Sequence, residues 1–105
     1  MAAAAYGGHK EIVEFFLYIG QNIFTIADYN KAMIEAAISG HIKIVEMMIN
    51  KGANDYIKAM IQTAGRAYEK NQKAVIEWLI KIVGDKFTIE DYNDIMIEAA
   101  ENGKK

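Results

Sequence analysis

The sequence predicts an all-α protein, a helical-repeat solenoid of about three tandem two-helix units with incomplete units at its ends. Three observations predict it. Residues 24–37, FTIADYNKAMIEAA, return at 87–100 as FTIEDYNDIMIEAA, identical at eleven of fourteen positions. GHKEIVE at 8–14 returns at 40–46 as GHIKIVE. A middle copy of the longer motif, NDYIKAMIQTA at 54–64, aligns through Asp55, Tyr56, Ala59, Met60, Ile61 and Ala64. The offsets are 63 and 32 residues, so the longer spans two periods.

Along the chain, alanine-rich sequence from Met1 to Tyr6 leads into the first second-helix segment, about 9–19, whose Ile12, Val13, Phe16 and Leu17 form an apolar line. Thr25 followed by Asp28 resembles a capping box and starts the next first helix; Tyr29, Met33, Ala36 and Ala37 keep one side apolar. The second helix of that unit covers about 41–51, with Ile44, Val45, Met48 and Ile49 in line. In the middle copy Asn54 is the natural cap, ahead of Tyr56, Met60 and Ala64; Val75, Ile76, Leu79 and Ile80 then line a second helix over about 72–83. Thr88 with Asp91 repeats the capping box before Tyr92, Met96, Ala99 and Ala100. Alanine pairs let helix backbones approach closely, as expected where units stack. Charges such as Lys10, Glu11, Lys43, Glu46, Lys73 and Glu77 take the opposite side of the second helices.

Glycine punctuates this pattern, because it tolerates the left-handed conformation that ends many helices. Gly8, Gly20, Gly40, Gly52, Gly84 and Gly103 fall at segment edges, and Gly65 falls inside a helical pattern. The chain opens and closes partway through a unit, as expected of a trimmed longer solenoid or of reduced terminal caps.

The bulk composition narrows the function. The 105 residues form one domain, 1–105, with 52% apolar and 25% charged residues, a globular balance. The formal net charge of -2 gives little attraction to phosphate backbones or anionic lipid, so neither nucleic acid nor membrane is an expected partner. The absence of cysteine removes thiolate metal sites and nucleophiles, and fits a reducing, cytoplasmic compartment. The first residues lack a basic n-region, so no signal peptide is expected.

The stretch AAISGHIKIVEMMINKGAN at 36–54 resembles the core of an ankyrin repeat through Ala36-Ala37, Gly40-His41, Ile44-Val45, Met48-Ile49 and Gly52-Ala53-Asn54. Ala4-Ala5, Gly8-His9, Ile12-Val13, Phe16-Leu17 and Gly20 repeat the resemblance in the first unit. The family's Thr-Pro-Leu-His signature is replaced by Lys31, Ala32, Met33 and Ile34, and Asn71-Gln72 stands for Gly-His in the third unit. The connector at 52–55 is short for the family's protruding β-finger. Such divergent repeats look like those in multigene families of large DNA viruses. The resemblance implies a protein–protein interaction module that grips its partner on the concave face of the first helices.

No site of chemistry stands out. His9 and His41 hold equivalent positions about one repeat apart, roughly 10 Å, too far to share an ion bound at about 2 Å by each ring; each ring is expected to be hydrogen-bonded near its turn. Glu14, Glu46 and Glu77 are equivalent, as are Asp28, Asp55 and Asp91. Repeated acids at helix starts are explained by capping and the helix dipole, whereas catalytic pairs are asymmetric. There is no phosphate loop, zinc, calcium or serine-nucleophile motif, so no enzyme activity, metal or cofactor is expected. Tyr29, Tyr56 and Tyr92 form a column read as packing.

The residues that vary between units on the polar side of the first helices are the expected partner-binding set: Lys31, Glu35, Ser39, Lys58, Gln62, Arg66, Asp94, Glu98 and Asn102. Lys31, Lys58 and Arg66 are the one basic patch that nucleic acid could use. The alternative to partner binding is a structural or self-associating segment of a longer repeat protein.

Overall fold

The computed structural model describes residues 1–66 and 70–102, without the side chains of residues 70, 99 and 102, and over them the chain is helical with no strand. The helices are α1 (Ala2–Tyr6), α2 (Lys10–Ile19), α3 (Ile26–Ile38), α4 (Ile42–Asn50), α5 (Tyr56–Ala64), α6 (Lys70–Val83) and α7 (Ile89–Asn102), with a 3-10 turn at Gly84–Lys86. Ala99 and Asn102 as side chains, and Gly103, lie outside the described set.

Two helix starts form as their sequences require. The Asp28 amide donates to Thr25 Oγ1 at 3.3 Å, and the Thr25 amide donates back to Asp28 Oδ2 at 2.8 Å. Thr88 and Asp91 make the same reciprocal pair at 3.1 and 2.9 Å. Each box satisfies amides that the first helical turn leaves without partners.

The middle copy corrects the expectation for Asn54. The cap residue of α5 is Asp55, and it makes no side-chain cap bond. Aligned with the long motif, Gly52 stands where Thr25 stands, so no hydroxyl is available to close a box. Asn30 of α3 takes over instead. Its Oδ1 accepts the amides of Asn54 at 2.7 Å and Asp55 at 3.1 Å, while its Nδ2 donates to Asn54 Oδ1 at 3.2 Å. The start of α5 is thus held from the neighbouring helix.

Glycine ends three helices in one way. Gly8, Gly40 and Gly52 have φ of 75°, 83° and 115°. After α3, the Gly40 amide donates to Ala37 O at 3.1 Å and the His41 amide to Ala36 O at 2.8 Å. Gly8 with His9, and Gly52 with Ala53, reproduce this Schellman pairing after α1 and α4. Gly65, expected inside a helix, is the C-cap of α5 with an ordinary helical φ of -62°. Asn71 and Gln72, expected at a turn, lie inside the first turn of α6, which begins at Lys70.

The helices pack in two rows. In one row α1 packs on α3, α3 on α5 and α5 on α7; in the other α2 packs on α4 and α4 on α6. The core between them is built from Val13, Met33, Ala36, Ala37, Ile44, Val45, Met48, Ala59, Met60, Val75 and Leu79. Thr63 replaces Ala36 in the middle copy and is fully buried, its hydroxyl donating to Ala59 O at 2.6 Å. The tyrosine column packs: Tyr29 stands edge-on to Phe24 at 6.1 Å, and Tyr92 to Phe87 at 5.7 Å. Among the described residues Tyr56 has no such ring partner, and Lys86 Nζ lies 5.9 Å from its ring centroid.

Candidate partner-binding groove

The polar side of the first helices is set by their apolar side. Once Ala32, Met33, Ala36 and Ala37 turn into the core, Lys31 points outward and Glu35 is left half-buried at the edge, one turn on along α3. Lys58 and Gln62 repeat that placement on α5. Because α3 packs against α5, the four side chains line a single groove of about 440 Å³, together with Ala27, Asn30, Ile34 and Asp55. Ala27 and Ile34 supply its apolar lining, and Lys31, Lys58, Glu35 and Asp55 its charged lining.

A second groove of about 480 Å³ adjoins the first. It is lined by Ala2, Ala3 and Tyr6 of α1 with Lys31 and Glu35, so those two side chains form the ridge between the grooves. Among the described residues, neither Lys31 nor Lys58 has a carboxylate within ion-pair distance; the ion pair found there is Lys10 with Glu14 at 3.8 Å, on α2. A lysine without an internal counter-charge keeps its charge available to a partner.

The other expected partner-binding residues lie outside this groove. Ser39 caps α3, and its hydroxyl donates to Glu35 O at 2.9 Å, so it serves the helix end. Arg66 is exposed beyond α5, its Nη1 donating to Gln62 O at 3.2 Å. Asp94 is exposed and Glu98 half-buried on α7, while the Asn102 side chain lies outside the described residues. Asn30 and Asp55 were not among the expected residues. From sequence Asp55 reads as a helix-start acid, and the signal that places it in the groove is its position three residues before Lys58, at the N-cap of the same helix.

The histidines depart from expectation. Neither imidazole makes a hydrogen bond among the described residues. The His41 ring instead lies against Gly8, where an added Cβ would fall 2.6 Å from Cε1. The ring thus packs against the turn that follows α1. Glu14, Glu46 and Glu77 are exposed on α2, α4 and α6. Among the described residues no group of three or more His, Asp or Glu side chains gathers as a metal site. No helix there is long and apolar enough to cross a membrane.

Compared with family models, curated proteins and solved structures, the chain finds no match.

Proposed function

We propose that the chain is a solenoid of ankyrin-like two-helix repeats that binds a partner protein through the face of its first helices and performs no catalysis. The observation that carries this reading is the groove between α3 and α5, with apolar residues in its lining and two lysines that make no ion pair among the described residues. The groove belongs to two consecutive copies of one motif, and its lining differs between them at Glu35 and Gln62. A surface that repeats in shape and varies in side chain suits recognition of one extended partner.

The sign of the rim narrows the partner. Lys31 and Lys58 share the groove with Glu35 and Asp55, so the lining is balanced in charge. Phosphate backbones or anionic lipid would meet two carboxylates at the same place. A polypeptide carrying side chains of both signs, with an apolar residue for Ala27 and Ile34, meets none of that penalty.

The test is affinity capture from native host extract with wild-type protein and with Lys31→Glu, Lys58→Glu and Arg66→Glu, singly and together. Lys43→Glu, exposed on α4, is the control. Recovery of a partner should fall about tenfold for the Lys31 and Lys58 pair and stay unchanged for Lys43→Glu. Equal recovery from all variants rejects the groove as the binding surface.

A further inference from the structure

Lys31 stands where three grooves of the first-helix face meet. It lines the groove of about 440 Å³ between α3 and α5, the groove of about 480 Å³ between α1 and α3, and a smaller one of about 200 Å³ beside Met1, Phe24 and Asp28. The acid one turn earlier on its own helix is already engaged. Asp28 Oδ2 accepts the Thr25 amide at 2.8 Å and the Thr25 hydroxyl at 3.2 Å within the capping box. Among the described residues Lys31 makes no ion pair with Glu35 either. A cation left open between two grooves is placed to meet an anion that crosses from one groove to the other.

The two large grooves differ in lining and are set apart by the helix row. Aligned through Ala4-Ala5 with Ala36-Ala37, Ala2 and Ala3 hold the places of Ile34 and Glu35. The α1–α3 groove is therefore lined by short side chains and by the Tyr6 ring, which is 53% exposed. A ring among short side chains suits another ring. The α3–α5 groove offers Ala27 and Ile34, which suit an aliphatic side chain. Packed helices lie about 8–10 Å apart, so the grooves on either side of α3 are separated by about that distance. A β-strand returns side chains to one side at about 6.6 Å and then about 13 Å, and neither fits. A polyproline II segment returns them every third residue, about 9.3 Å on, which does fit.

We propose that the occupant of this face is a polyproline II segment of a partner protein that spans both grooves. An aromatic residue enters the α1–α3 groove, and an aliphatic residue three positions away enters the α3–α5 groove. Between them one acidic residue lies on Lys31. Glu35 is one turn along the same helix, so a second acid between the anchors would meet a like charge. The proposal rests on the partner-binding reading above and names the chemistry and spacing of what binds.

The test is fluorescence anisotropy of labelled peptides titrated with the 105-residue chain. The core probes are Tyr-Glu-Pro-Leu and Leu-Glu-Pro-Tyr with proline-rich flanks, which present one spacing in the two chain directions. At least one should bind with a Kd of about 100 µM or tighter. Lysine in place of its glutamate should weaken it about tenfold, and the Lys31→Glu chain should reverse that preference. Shortening or lengthening the gap by one residue should also weaken it about tenfold, because one anchor then misses its groove. Ala3→Gln puts a longer side chain on the exposed edge of the α1–α3 groove and should cost about tenfold as well. Circular dichroism checks its fold, and Tyr6→Ala replaces it if it does not fold. The proposal is overturned by no binding of either core probe at about 1 mM, by no reversal in Lys31→Glu, or by full affinity in Ala3→Gln. Tighter binding of a peptide with another gap, including anchors seven apart as on a helix, overturns it too. Ala3 lies outside the α3–α5 groove, so the two readings fail separately. Native-partner capture that Lys58→Glu abolishes and Ala3→Gln leaves intact rejects only this occupant, whereas capture that neither changes rejects the groove as well.

Discussion

Leucine at Ala37 should destabilise the chain, while leucine at Ala27 on the same helix should be nearly neutral. Ala37 is fully buried, and its counterpart Ala64 is buried as well. Ala27 lies in the first turn of α3, exposed, and its counterpart in the last copy is Glu90, also exposed. The end of α3 cannot easily swing aside to admit a larger side chain, because Ala36 and Ala37 carbonyls are engaged by His41 and Gly40. Three added carbons must then displace a neighbour in a row where α3 touches α1, α4, α5 and α6. Overpacking of this kind costs about 1–3 kcal/mol. With a urea slope of about 2 kcal/mol per molar, a loss of about 2 kcal/mol lowers the midpoint by about 1 M. Ala27→Leu should stay within about 0.5 kcal/mol of wild type, a shift of about 0.25 M or less. Urea unfolding followed by far-ultraviolet circular dichroism and by Trp78 fluorescence measures both. Trp78 packs on the core from α6, so coincident curves would show the loss shared beyond α3. Equal midpoints for the two variants would refute the assignment of Ala37 to the packed interface.

Asn30→Ala should cost about 1–2 kcal/mol, because the Asn54 and Asp55 amides lose their acceptor. Hydrogen exchange at those two amides should speed up, and Asn30→Asp, which keeps an acceptor oxygen, should restore most of the protection; unchanged exchange in Asn30→Ala would sink the clamp. Gly40→Ala should cost more than about 1 kcal/mol, since Gly40 has φ of 83° and an added Cβ would lie 2.5 Å from Asn71 Cβ. A wild-type urea midpoint for that variant would mean the turn after α3 has another geometry.

The fold was legible where its causes are local. A threonine followed three residues later by aspartate satisfies amides within one turn, so both capping boxes can be read from the sequence. A glycine after an apolar run marks a left-handed helix end, and Gly8, Gly40 and Gly52 adopt that conformation. The misreadings share a different cause. Asn54 looked like a cap because it precedes a helix and is a good capping residue. Its hydrogen bonds in fact run to Asn30, twenty-four residues earlier in the chain. The imidazole of His41 is expected to bond near its own turn, yet it lies against Gly8 at the end of α1. In both cases the deciding partner lies in a segment distant along the chain, where sequence spacing carries no distance information.

The candidate site was legible to the same extent and for the same reason. Helical spacing places Lys31 with Glu35, and Lys58 with Gln62, each pair one turn apart on its own helix. What spacing cannot supply is the side-by-side packing of α3 and α5 that merges the two pairs into one groove. That packing depends on side chains the binding argument never used: the small Ala36 and Ala37, Met33 and Met60 in the core, and the grip of Asn30 on the 54–55 backbone. Asn30 belongs to both sets, since it lines the groove and also holds the start of α5. In the proposed reading, partner binding and helix packing are therefore coupled at one residue. A partner that hydrogen-bonds Asn30 must either use lone pairs and protons the connector leaves free, or compete with the contact that positions Lys58 opposite Lys31.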